Sequence, residues 1–79
     1  MMKTFNEIVG ENIKRIRKAR NITQKQLAYK ILCSTSSINN WEHGNYAPSS
    51  YYILYLSKVL NCTTDELLKQ EEDSNNGNG

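Results

Sequence analysis

Acidic residues are missing from the middle of this sequence. Between Asn12 and Trp41 there is no Asp or Glu, while seven Lys or Arg stand there: Lys14, Arg15, Arg17, Lys18, Arg20, Lys25 and Lys30. The acids collect at Asp65, Glu66, Glu71, Glu72 and Asp73, so a net charge of only +2 hides a lopsided chain. A polyanion would be drawn to the basic half and released by salt. Taken alone, the same charges also fit ordinary solvated helix faces. No run of 18 apolar residues exists, and the start M-M-K-T-F-N-E lacks the apolar core of a signal peptide, so a soluble, cytoplasmic chain with no membrane partner is expected. His43 is the only histidine, and Cys33 and Cys62 stand far apart without a C-x-x-C. That leaves no metal ligand set; both cysteines read as small buried packers. No acid and base are paired in a plausible pocket and no Gly-rich loop cradles phosphate, so neither an enzyme nor a cofactor is expected.

What is present fits one small domain: 79 residues with 38% hydrophobic content. Below roughly 80 residues a core supplies only a few kcal/mol, so capping, tight packing or dimerisation must matter. Phe5, Ile8, Val9, Ile13 and Ile16 recur at helical spacing and predict an inward stripe on a first helix from about Thr4 to Arg20, with Lys14, Arg15 and Lys18 outside. Asn21 tolerates a left-handed backbone and ends it. Thr23 with Gln26 forms a capping box for a second helix, turned inward by Leu27 and Ile31, with Ala28 small enough for a close crossing. Ser34 caps a third helix, and Cys33 packs towards Ile38. Gly44 ends that helix, and the single proline, Pro48, forbids helix continuation through the loop that follows. A fourth helix is predicted over about Ser50 to Leu60 with Ile53, Leu56 and Leu60 inward. Thr63-Thr64-Asp65-Glu66 caps a fifth, running to about Gln70. The folded domain is expected over residues 1–69, and residues 70–79, acidic and polar, as a disordered tail.

The third helix is the most informative stretch. Ile38 and Trp41 share one face, while Thr35, Ser36, Asn39, Asn40 and His43 share the other, polar and uncharged. A solvated face usually carries Lys and Glu, whereas short amides and hydroxyls suit base edges in a DNA groove.

Leu27-Ala28, Ser34, Ile38, Trp41-Glu42, Gly44 and Pro48-Ser49, with no insertion between Leu27 and Gly44, resemble the lambda repressor and Cro-like helix-turn-helix family over about Val9 to Leu68. The resemblance implies an all-α, compact five-helix domain of that type, with the helix-turn-helix at the second and third helices. It implies double-stranded DNA as partner, with Thr35, Ser36, Asn39 and Asn40 at base edges. Gln24, Lys25, Asn45, Tyr46, Ser49 and Ser50 would then lie along the sugar-phosphate backbone. Arg17 and Glu42 resemble a buried ion pair tying the first helix to the end of the third, and Trp41 a bulky core position. Leu32 departs from the pattern, standing where Gly is common because the turn takes a left-handed backbone.

The function implied is a sequence-specific DNA-binding transcriptional regulator, a repressor by resemblance. A domain of this size contacts few base pairs, so two copies on a palindromic operator are expected. Tyr51, Tyr52 and Tyr55 exceed what a solvated face needs; Tyr51 and Tyr55 are candidates for the homodimer contact, or else cover the edge of a small core. The alternative is an antitoxin or adaptor-like protein-interaction module on the same fold.

Overall fold

The computed structural model describes residues 2–70 as five successive helices: α1 (Phe5–Ala19), α2 (Gln24–Ile31), α3 (Thr35–Glu42), α4 (Ser50–Val59) and α5 (Thr64–Leu68). Three helices open with the same device. Thr4, Thr23 and Thr63 accept from the N–H of Glu7, Gln26 and Glu66, whose side chains return to the N–H of the threonine. Each box satisfies two of the donors that a helix start leaves unpaired. Ser34 opens α3 by accepting from Ser37 N–H, whereas Ser49 precedes α4 without a side-chain cap bond.

Four helices also end alike. The N–H groups of Ile22, Cys33, Asn45 and Cys62 reach back to the carbonyls of Arg17, Ala28, Asn40 and Ser57 at 3.2, 3.0, 3.0 and 2.9 Å. The residue before each donor is left-handed: Asn21, Leu32, Gly44 and Asn61, with φ of 58°, 59°, 74° and 54°. This is the Schellman ending, which favours Gly and tolerates Asn. Leu32 is the exception in kind, a branched side chain that is 85% exposed and receives little burial in return for its strained backbone. The turn between α2 and α3 thus keeps the left-handed shape and carries the strain.

The core consists of Val9, Ile13, Ile16, Leu27, Ala28, Ile31, Ile38, Trp41, Ile53, Leu56, Leu60 and Leu67, with all five helices contributing. The expected stripe on α1 needs one correction: Phe5, in the first turn, is 56% exposed, and Ile8 is only half-buried. The fully buried face begins at Val9. Helix ends fall one or two residues inside the expected ones, α5 stopping at Leu68. The expected tail lies outside the described residues from residue 71 onward.

Asn12 of α1 and Arg20, the residue after it, hold the ends of α4 and α5. Asn12, buried, donates from Nδ2 to the carbonyls of Leu67 and Lys69 at 2.9 and 2.8 Å. Arg20 donates from Nε to the Leu60 carbonyl at 2.8 Å and from Nη2 to that of Asn61 at 3.1 Å. These carbonyls at and beyond the ends of α4 and α5 are among the acceptors that a terminating helix leaves unpaired. A five-residue helix such as α5 cannot sustain itself in water, so its order comes from these bonds and from Leu67 in the core.

Candidate nucleic-acid interface

The third helix is set by its contacts with α1. A Cβ at Gly10 would collide with the carbonyl of Trp41, so only glycine lets the backbones of α1 and α3 approach this closely. At the end of α3, Gly44 sits against Glu7, and a Cβ there would come to 3.1 Å from Glu7 Cγ. Trp41 turns into the core and stacks at a tilt on Tyr52, ring centroids 5.4 Å apart.

Arg17 and Glu42 lock the same junction from the side. Arg17 donates from Nε to Glu42 Oε2 at 2.6 Å and from Nη2 to Oε1 at 3.0 Å, while Nη1 reaches the Ile22 carbonyl at 2.9 Å. Their side chains are only 10% and 3% exposed. The hydrogen bond to Glu42 holds the Arg17 guanidinium above its ordinary pKa, against the opposing effect of burial. Gln24, at the start of α2, joins the pair: its Nε2 donates to Glu42 Oε1 at 3.0 Å and to Asn39 Oδ1 at 3.4 Å. Glu42 therefore collects bonds from α1 and α2 while standing on α3.

Among the residues read as base-facing, Thr35, Ser36 and Asn39 are exposed and Asn40 is half-buried. The Asn40 amide is tied at both ends, donating from Nδ2 to the Ser36 carbonyl at 3.0 Å and accepting at Oδ1 from Asn45 Nδ2 at 2.8 Å. One hydrogen and one lone pair remain on it for an outside partner. His43 Nδ1 lies 2.8 Å from the Asn39 carbonyl. A carbonyl only accepts, so Nδ1 carries the proton and Nε2 is left outward. Of the residues read as backbone-facing, Lys25, Asn45, Tyr46, Ser49 and Ser50 are exposed, while Gln24 is half-buried with its amide nitrogen already committed.

The basic half is less of a single surface than its sequence implies. Arg17 is turned inward, Arg20 binds the carbonyls after α4, and Arg15 donates from Nη2 to Asn12 Oδ1 at 3.0 Å. Both Arg15 and Arg20 help to lower the pKa of Glu66, after the larger effect of its hydrogen bonds with Thr63. Arg15 and Arg20 serve the α1, α4 and α5 side of the molecule, and Arg17 the junction of α1 and α3. Lys14, Lys18, Lys25 and Lys30 are solvent-exposed, as are Arg15 and Arg20 beside the bonds they make. Sequence reading missed Gly10, Asn12 and the bond from Gln24 to Glu42. A small residue and an amide inside an otherwise apolar stripe were the available signals for the first two.

Cys33 and Cys62 are free, half-buried, and packed against the core, and burial pushes both thiols up from their ordinary pKa. Among the described residues no group of His, Cys, Asp and Glu could hold a metal ion, and no helix is long and apolar enough to cross a membrane.

The sequence profile described as Helix-turn-helix matches residues 13–67. The chain belongs to this helix-turn-helix family. It is 38% identical over 72 residues to the HTH-type transcriptional regulator DicA of Escherichia coli K12, an alignment covering 91% of this chain and 53% of DicA. It is 37% identical over 63 residues to the HTH-type transcriptional activator BcrR of Enterococcus faecalis, covering 80% of this chain and 31% of BcrR. The chain thus spans about half the first relative and a third of the second. Among solved structures, the P22 c2 repressor protein in complex with a synthetic operator superposes with a TM-score of 0.76 at 36% identity, covering 81% of this chain and 97% of that one. Within the family architecture, α2 and α3 are the helix-turn-helix pair, and the expected all-α, five-helix fold is the one observed.

Proposed function

We propose that this helix-turn-helix chain is a sequence-specific DNA-binding transcriptional regulator that inserts α3 into the major groove. The observation that carries the reading is the outer face of α3. Thr35, Ser36 and Asn39 are exposed there, polar and uncharged, on a helix fixed from below by Gly10, Trp41 and the Arg17–Glu42 fork. The similarity to a repressor solved with its operator supports the same mode of use.

In this reading Thr35, Ser36 and Asn39 reach base edges first, and Asn40 joins them with the hydrogen and lone pair that Ser36 and Asn45 leave free. Lys25, Asn45, Tyr46, Ser49 and Ser50 meet phosphates, and Gln24 does so through its main-chain N–H, since its side-chain nitrogen is held by Glu42 and Asn39. The chain acts by occupancy, without chemical catalysis, in the cytoplasm. Repression is the first expectation. The relatives' names include both a repressor and an activator, and occupancy serves either.

Two copies on a palindrome are proposed to meet through α4. Tyr51, Leu54 and Tyr55 are 61%, 50% and 40% exposed on one stretch of that helix. Tyr51 and Tyr55 are joined by a 3.3 Å hydrogen bond and an edge-to-face contact, while Tyr52 is the tyrosine that covers the core. The exposed pair presents a rigid aromatic face suited to a protein contact.

The deciding experiment selects from a random duplex pool and titrates salt on the winner and a scrambled control. A palindromic winner bound at least about a hundredfold tighter than the control, with a steep salt slope, is the expected result. Failure to enrich any sequence would overturn the proposal and favour an adaptor role through the tyrosine face.

A further inference from the structure

The hydrogen bonds around Glu42 fix more than a junction: they fix which way the Asn39 amide faces. Glu42 offers only acceptors, and both its oxygens are engaged by Arg17. The group that Gln24 presents to Oε1 at 3.0 Å is therefore its NH2, never its carbonyl. The second hydrogen of that NH2 points to the Asn39 amide at 3.4 Å, and it needs an acceptor there. That acceptor is Oδ1, so Nδ2 of Asn39, with both hydrogens uncommitted, is the other end of the amide. The polarity is passed along a chain of single-valued choices: Arg17 donates to Glu42, Gln24 donates to Glu42, Gln24 donates to Asn39.

We infer that Gln24 is a positioning residue that holds the Asn39 amide with its nitrogen towards DNA, so that Asn39 reads keto bases, guanine before thymine, in preference to the amino bases adenine and cytosine. The inference rests on the major-groove use of α3 proposed above. Guanine shows N7 and O6 in that groove and thymine shows O4, acceptors only, whereas cytosine shows an amino donor and adenine sets one beside its N7, and an outward NH2 leaves that amino group unsatisfied. Guanine ranks first because its two neighbouring acceptors can take both Nδ2 hydrogens. An unconstrained asparagine would turn its amide to suit adenine, the base it most often pairs with. The tie to Gln24, long at 3.4 Å, biases that choice towards the amide with its nitrogen outward, and a substitution of Gln24 removes the bias.

The test uses duplex selection with the full chain and four proteins: wild type, Asn39→Ala, Asn39→Asp and Gln24→Met. The position read by Asn39 is the one whose base preference Asn39→Ala erases. At that position the wild type is expected to prefer guanine or thymine over adenine by roughly tenfold. Asn39→Asp keeps an oxygen for Gln24 to donate to and replaces the outward donor by an acceptor. It is expected to reverse the preference towards cytosine or adenine. Gln24→Met removes the tie while conserving bulk, and is expected to narrow the keto-over-amino ratio to about threefold or less while other positions keep theirs. A wild-type preference for adenine or cytosine there would overturn the inference, as would an Asn39→Ala variant that erases no position. Unchanged preference in Gln24→Met would remove Gln24 from the role. Absence of any enriched sequence would instead be the failure of the DNA-reading proposal itself, so the two failures are told apart.

Discussion

Arg17 and Glu42 meet as a two-point fork across the junction of α1 and α3, at 2.6 and 3.0 Å, nearly sealed from solvent. Removing one partner leaves the other charge buried without compensation, which costs far more than the pair contributes net. Glu42→Ala is expected to destabilise the fold by about 2–4 kcal/mol, at roughly 4–8 °C of melting temperature per kcal/mol for a domain of this size. A thermal melt followed by circular dichroism reads it, and an unmoved midpoint would mean the fork is absent in solution.

Lys25 stands exposed near the start of α2, beside Gln24. Its replacement by alanine is expected to weaken binding to selected and scrambled DNA alike and to lower the slope of log K against log salt by about 1, as the loss of one phosphate contact does. An identical slope would take Lys25 off the interface.

Asn40 and Asn45 form a pair in which Asn45 holds the carbonyl end of the Asn40 amide at 2.8 Å. Asn40→Ala is expected to lower affinity for the selected site by about 1–3 kcal/mol with little effect on scrambled DNA. Asn45→Ala releases this partner and also removes a proposed phosphate contact, so it should weaken binding to both DNAs and lose less specificity than Asn40→Ala. Equal losses on both DNAs would reject base reading by Asn40.

Leu32 allows a stability gain. Its backbone is left-handed at φ 59° and its side chain is 85% exposed, so Leu32→Gly removes strain while giving up little burial. The expected change is an increase of about 1 kcal/mol, partly offset by the greater freedom of glycine in the unfolded chain. A lower midpoint in urea would show that the leucine makes a stabilising contact.

Glu66 gives the fold a pH dependence of known sign. Its hydrogen bonds with Thr63, first the backbone one, hold the carboxyl below its ordinary pKa. A folded pKa below the unfolded one means stability that is full above the ordinary carboxylate pKa and is lost as pH falls through the lowered value. Glu66→Gln keeps an acceptor for the capping box but no ionisation. Melting temperature measured from neutral to acid pH should therefore fall less steeply in the variant, and parallel curves would refute the assignment.

The helices were legible because each carries a local rule: a Thr with Glu or Gln three residues on, an apolar repeat, and Asn or Gly at the ends. Thr23, Thr63, Asn21 and Gly44 all behave as their neighbours in sequence dictate. The two faces of α3 were legible too, since Ile38 and Trp41 set its inner face and leave one possible outer face. What escaped were the consequences of long-range meetings. Nothing near Asn12 in sequence announces the carbonyls of Leu67 and Lys69, and nothing near Arg20 announces that of Leu60. The charge census was incomplete for the same reason: a count of arginines is local, while their partners lie up to 41 residues away. Gln24 combined both cases, its place at a helix start being readable and its bond to Glu42 requiring the fold.

The grip of Asn12 on the carbonyls at the end of α5 changes what kind of unit this helix is. Terminal segments ordinarily fray first, their amides exchanging with deuterium through small local openings. Here opening α5 would strip a buried amide of both its acceptors and uncover Leu67 at once, a loss that α1 shares. The last helix among the described residues, α5 is internal to the cooperative unit, and its amides are tied to the opening of the whole domain.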